Sequence, residues 1–231
     1  MKKSIILGMI CLLVAGGIQA QEKMNEIAEQ DIVNKNWNGF RLAIEGNEYR
    51  VSKTMTVNGD MQSGTREVTS ITVGYARGIA LSQKQPIYLE TGIGMKWGYS
   101  SIDEDEIRKQ ETGLIITEET FSTFSFEVPI NISYKIALGN EFSMIPYTGL
   151  YMRLHASGNL EGKSNRGYYK FDIFNEEETE PTFKRFQTGW QLGLDFQYKK
   201  IVFGWGYGID FNKAWINTRV HTSAFNLGYR F

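Results

Sequence analysis

From Trp37 onward, apolar residues recur at every second position along the chain, the spacing of strands whose two faces meet different surroundings. The clearest stretch is Thr188–Tyr198. One parity carries Trp190, Leu192, Leu194, Phe196 and Tyr198, and the other carries Gly189, Gln191, Gly193, Asp195 and Gln197. After only Lys199-Lys200 the pattern resumes, with Ile201, Phe203, Trp205, Tyr207, Ile209 and Phe211 alternating with Val202, three glycines, Asp210 and Asn212, so these two strands form a tight hairpin. The same alternation runs through Ile87–Gly98, Phe124–Tyr134 and Phe142–His155. Shorter versions occupy Phe40–Ile44, Ile71–Leu81 and Phe225–Phe231. The pattern predicts eight strands.

In a soluble sandwich the apolar parity would be a core. Here the apolar parity carries large aromatics near both ends of most strands, with aliphatics between, which matches the two interfacial girdles of a membrane barrel. Most of the strands are longer than the ~5–6 residues usual in globular sheets and suffice for the ~9–11 of a tilted membrane strand. The connections 82–86, 137–141 and 199–200 are short, whereas 50–67, 99–120 and 156–182 are long and polar and 213–218 lies on the same side. Short turns on one side and long loops on the other predict an all-β fold, a transmembrane antiparallel up-and-down β-barrel of eight strands with periplasmic turns and both termini in the periplasm. A soluble periplasmic β-sandwich is the competing architecture.

Upstream of this pattern, Lys2 and Lys3 precede an apolar run from Ile5 to Ile18, and Ile18-Gln19-Ala20 is a cleavage site before Gln21. Residues 1–20 therefore read as a signal peptide, 21–36 as a periplasmic N-terminal stub and 37–231 as the outer-membrane barrel domain. Beyond the signal, no apolar run approaches the ~20 residues of a membrane-spanning helix. The single cysteine, Cys11, falls inside the signal, so thiol and disulfide chemistry is not expected; Ile10 before it argues against lipidation.

Composition agrees with β architecture: 24 Gly, 14 Phe, 12 Tyr and 5 Trp against 4 Pro in 231 residues. A net charge of −1 with scattered basic residues gives no reason to expect a nucleic-acid partner. The expected partners are outer-membrane lipids and lipopolysaccharide, the barrel-assembly machinery and periplasmic chaperones, with any extracellular ligand left open.

Several segments resemble the PorT-like "porin family", also described as the outer-membrane protein β-barrel domain family. They are Tyr88-Leu89-Glu90-Thr91-Gly92-Ile93-Gly94, Phe126-Glu127-Val128-Pro129-Ile130, Pro146-Tyr147-Thr148-Gly149-Leu150-Tyr151 and Leu227-Gly228-Tyr229-Arg230-Phe231. The resemblance spans most of 37–231 and implies an eight-stranded barrel whose terminal aromatic, Phe231, is the assembly signal. It implies no single activity.

The inward parity holds Arg41, Glu45, Glu90, Lys96, Glu127, Arg153, Asp195, Asp210 and Arg230, with Tyr88, Tyr147 and Tyr151. Eight strands leave a bore that side chains can fill, so these residues are expected to form a salt-bridged plug, the alternative being a small-solute or ion channel. Gly92, Gly193 and Gly206 are expected to make room for them. The acidic runs at 103–106 and 176–178 read as solvated loop tips. His221 and Ser223 share the outward parity, and such a pair resembles the lipid A deacylase barrels; a hydrolase of this type also needs an orienting acid, and none follows Asp210. A non-enzymatic barrel is the leading expectation and a lipid A-modifying esterase the third. His155 and Ser157 are expected inward without an acidic partner. With two histidines and no mature cysteine, neither a metal site nor a cofactor is expected. Arg77 falls on the lipid-facing parity, and a bulge near Gly78 is the device expected to turn it inward.

Overall fold

A computed structural model describes residues 35–51, 55–57, 60–62, 65–103, 116–139, 141–164, 166–177, 182–215 and 217–231. No helix occurs among them. The strands are β1 (Trp37–Val51), β2 (Met55–Val57), β3 (Asp60–Gln62), β4 (Thr65–Ala80), β5 (Ile87–Asp103) and β6 (Ile116–Tyr134). They continue with β7 (Ile136–Ala137), β8 (Phe142–Ser164), β9 (Gly167–Asp172), β10 (Phe186–Tyr198), β11 (Ile201–Asp210) and β12 (Thr218–Arg230).

Every pairing is antiparallel. Through the long strands the order is β10-β11-β12-β1-β4-β5-β6-β8. Strand β8 also pairs with β10, from Phe186↔Leu154 to Tyr198↔Phe142, so eight strands form a ring in which each has two hydrogen-bonded neighbours. Such a ring leaves no open edge through its lower half. The first and last strands meet where β1 lies against β12: the Phe231 amide donates to Asn38 O at 2.8 Å, at the end that also carries the short turns. In the two-residue turn between β10 and β11, Lys199 has a φ of 54°. Its amide donates to Glu141 O and its ammonium pairs with the Glu141 carboxylate, which helps hold a conformation that a side chain rarely adopts.

The alternation in sequence becomes inside and outside of the ring. Large apolar side chains stand exposed on the exterior, among them Phe40, Ile44, Ile93, Trp97, Leu150, Trp205 and Phe225, while Glu45, Lys96, Arg153, Asp195 and Asp210 are buried. Glycines on the inward parity let bulky neighbours close over them. A Cβ on Gly193 or Gly206 would collide with the Tyr147 ring or hydroxyl, so these two glycines accommodate an aromatic rather than a long charged chain. Gly92 instead lies against the β4 backbone at Tyr75 and Ala76.

Three expectations change. The strands run well beyond the alternating segments on the side of the long connections: residues 99–103, 118–120 and 156–164, read as loops, extend β5, β6 and β8, and β9 adds a further strand there. Ser157 points outward, because a register shift at Phe124/Ser125 leaves Ala156 as an extra residue in β8 and inverts the parity beyond it. Arg77 also stays outward. Strand β4 keeps unbroken register with β1 and β5 through Gly78, and Gly78 itself is buried. Arg77 is only three residues from the β4 end.

Candidate functional site

The ring interior contains three layers of polar side chains. Nearest the short turns, Arg230 pairs with Glu90 at 3.1 Å, Ser133 donates to the same carboxylate at 2.7 Å, and the Arg230 guanidinium lies 3.7 Å from the Trp37 ring centre. Arg41 reaches Asp195 at 3.4 Å and donates to the Tyr147 hydroxyl, which also accepts from Asn226. Next comes Arg153, which binds Glu127 through Nε at 2.9 Å and through a second nitrogen at 2.8 Å, and approaches Asp210 at 3.9 Å. Tyr151 donates to Asp210 and packs its ring under Arg153. In the third layer Lys96 pairs with Glu45, Thr72 donates to Glu45 at 2.6 Å, and Asn47 bridges Lys96, Ser70 and Thr222.

Ring order gives these pairs their mechanical meaning. Arg41 on β1 and Asp195 on β10 are three strands apart around the ring, as are Arg230 on β12 and Glu90 on β5. Both pairs therefore span the bore as struts. Between these side chains lies a cavity of about 90 Å³, lined in part by Arg41, Glu45, Tyr147, Tyr151, Arg153 and Asn226. At roughly 30 Å³ per water molecule this holds a few waters.

Above the third layer the character reverses. Val68, Phe121, Ile173 and Phe174 form a buried apolar cluster, with Tyr49, Leu160 and Phe183 packed against it. Phe183 stacks on Trp215 with an interplanar angle of 3°, and the His155 ring lies buried beneath Phe174. Ile173, Phe174 and Phe183, which follow β9, thus cover the mouth of the ring as an apolar cap. Gly158, turned inward by the β8 bulge, leaves the space that Ile173 and Phe174 fill. At the cap's edge Arg66 pairs with Glu119 at 2.5 Å and covers the Phe121 ring, and Tyr169 donates to Glu119 at 3.1 Å. Partial burial, joined by the Glu119 charge, pushes the Tyr169 hydroxyl up to about 12.

The cap was not anticipated from the sequence. Its signals were Phe121 on the polar parity of β6, and Phe171, Ile173 and Phe174 inside an otherwise polar connection.

His221 and Ser223 lie on the exterior of β12. The Tyr207 hydroxyl is 2.7 Å from His221 Nδ1. An acid does stand beside His221, but it comes from the other end of the chain: Glu48 on β1 is its direct cross-strand partner. The Glu48 carboxylate accepts from Arg50 Nε at 2.6 Å, so with His221 held by Tyr207 no serine–histidine–acid relay is assembled among the described residues. No cluster of three or more His, Cys, Asp or Glu side chains that could hold a metal occurs among the described residues. Glu176 and Glu177 are exposed, whereas residues 104–106 and 178 lie outside the described residues, as do 1–34 with the signal segment.

These features define the class: an all-β ring of antiparallel strands with an apolar exterior, a charged interior and an apolar cap at one end. No protein family's sequence profile matches the chain, so the PorT-like resemblance stands on its motifs alone, and no curated protein matches it. Among solved structures, similar chains include the attachment invasion locus protein Ail of Yersinia pestis in complex with the heparin analogue sucrose octasulfate. It is 12% identical, with 84% of this chain and 99% of that one covered and a TM-score of 0.40. Neisserial surface protein A is 9% identical, with coverages of 83% and 95% and a TM-score of 0.39. The translocator domain of the autotransporter NalP from Neisseria meningitidis is 10% identical, with coverages of 95% and 97% and a TM-score of 0.40.

Proposed function

We propose that this chain is an integral outer-membrane β-barrel that neither conducts nor catalyses, and that it presents its long hairpins to surface partners or braces the cell envelope. The observation that carries the reading is the inverted distribution of side chains. Phe40, Ile44, Ile93, Tyr99, Leu150 and Phe225 are each half or more exposed on the exterior while charges fill the interior. Water-soluble monomers rarely tolerate a contiguous apolar patch beyond a few hundred Å², whereas hydrocarbon requires one. Cross-bore ion pairs and the apolar cap support a closed interior.

In this reading residues 1–20 are removed on export, 21–36 remain as a periplasmic stub, and the short turns and both termini face the periplasm. Outer-membrane lipids and lipopolysaccharide solvate the exterior. Periplasmic chaperones and the barrel-assembly machinery deliver the chain, with Phe231 as the recognised aromatic; its ring packs against Phe40 at 5.6 Å. A narrow channel is the second reading, favoured only by the interior cavity.

The test combines two assays on the full chain refolded into detergent and then into planar bilayers. A closed barrel migrates differently on SDS gels before and after boiling, because every paired strand resists detergent until heated. Steady single-channel conductance from the wild-type protein would replace the closed reading with the channel reading.

A further inference from the structure

We propose that Arg50, Arg219, Lys213 and Lys184 form a binding site for the phosphate of a phosphorylated glycolipid in the leaflet around the capped end of the barrel. The site rests on the membrane reading above and names the lipid that one sector of the exterior selects.

The register is the starting point. Arg50 on β1 and Arg219 on β12 are direct cross-strand partners, and both are exposed on the outer face. Like charges placed directly opposite destabilise a sheet unless an anion lies between them. Glu48 engages Arg50, but no carboxylate pairs with Arg219 among the described residues. Lys213 sits on the narrow hairpin that leads into β12, where the Ala214 amide donates to Thr218 O at 2.8 Å. Lys184 precedes β10 and is tied to the same hairpin, its amide donating to Ala214 O at 2.8 Å. Four exposed cations thus follow one another along the rim from β10 to β1. Arg185, next to Lys184, is occupied elsewhere, with Asp172 at 3.8 Å and the Phe174 ring under its guanidinium. Beyond β1 the patch ends at the exposed Glu67 on β4.

The height of the site on the barrel points to a lipid. On the same outer face, Phe186 lies two residues below Lys184, and Phe211 two residues below Lys213; both rings are more than half exposed. The cations therefore stand where the apolar band ends, the level of headgroups. Below the arginine pair the surface is a polar notch rather than a greasy one. Gly46 faces Ser223 across the β1–β12 ladder, a Cβ there would meet nothing within 4 Å, and His221 and Tyr207 flank it. A notch lined by hydroxyl and imidazole groups suits sugar hydroxyls. Above it the Arg219 guanidinium, which no carboxylate pairs among the described residues, suits a phosphate, which arginine binds bidentately, while Arg50 adds positive charge beside it and shares its own fork with Glu48.

The test uses the full chain refolded into vesicles of phosphatidylcholine alone, or with a bisphosphorylated glucosamine lipid, with phosphatidic acid, or with inorganic phosphate in the buffer. Lipid retained on the extracted protein is counted by native mass spectrometry, and barrel melting is followed on SDS gels. The wild-type protein should retain the glucosamine lipid and melt higher in its presence. Arg219→Glu should cut retention about tenfold, the loss of one charge-assisted hydrogen bond, and Arg219→Gln should do the same. In phosphatidylcholine alone Arg219→Glu should melt higher than wild type, since it creates a cross-strand pair with Arg50. Lys200→Glu, at the opposite end, should change neither readout. Retention unaffected by Arg219→Glu and Arg219→Gln overturns the site. Equal responses to phosphatidic acid or free phosphate overturn the glycolipid assignment. A chain that inserts into none of the vesicles overturns the membrane reading, and the site with it.

Discussion

Arg153→Met removes the cation that Glu127 and Asp210 share. Arg153 and Asp210 are almost fully buried, with side-chain exposures of 3% and 0%, and Glu127 retains 15%. Asp210 would keep its bond from Tyr151, but one of its oxygens is already unpaired, and Glu127 would lose both of its nitrogen donors. Breaking a buried ion pair from one side typically costs ~3–5 kcal/mol, because the remaining charge is stranded away from water. The triple variant Arg153→Met, Glu127→Gln, Asp210→Asn removes the charges together and should return to within about 1–2 kcal/mol of wild type. The assay is equilibrium urea unfolding in lipid vesicles, read by tryptophan fluorescence. A single variant that costs less than about 1 kcal/mol, with no recovery in the triple variant, would mean hydrated charges in a wet bore, and the plug account would fail.

Three further outcomes follow from the same contacts. Gly193→Val should destabilise by about 1–3 kcal/mol, since its side chain meets the Tyr147 ring, and pairing it with Tyr147→Leu should recover part of the loss in the same urea assay. Leu150→Arg, on the half-exposed exterior of β8, should cost about 2–4 kcal/mol in vesicles, and an equal cost in a soluble refolded form would point to a core instead. Deleting Phe231 should lower the amount assembled in cells far more than the urea midpoint of the protein that does assemble; normal outer-membrane levels would remove its role as an assembly signal.

The lower half of the barrel was legible because a period of two needs only local information. Trp190, Leu192 and Leu194 face outward and Gly193 and Asp195 inward by simple alternation. Where alternation breaks, local reading fails. One extra residue at Ala156 inverts β8, so Ser157 faces out and Gly158 opens space for the cap. Phe121 keeps its parity, but it turns an aromatic inward at a level where the interior has ceased to be polar. Charged residues could be assigned to the interior by parity, yet their partners could not. Arg41 meets Asp195 154 positions away, and which pair forms depends on strand stagger around the whole ring. Glu48 beside His221 is hidden for the same reason, since closure of the ring, not sequence proximity, brings β1 against β12.

Whether the exterior faces lipid and the interior does not can be read at neighbouring residues of β10. The Gln191 side chain points inward and donates to Asn131 Oδ1 at 2.8 Å, while Leu192 is on the outer face. Single cysteines at 191 and 192, each carrying a nitroxide in the refolded, vesicle-bound protein, report collision with lipid-soluble oxygen and with a water-soluble nickel chelate. The label at 192 should collide with oxygen and be shielded from the chelate, and the label at 191 should be shielded from oxygen. Reversed accessibilities would contradict the register, and equal exposure of both labels to the chelate would contradict the membrane barrel itself.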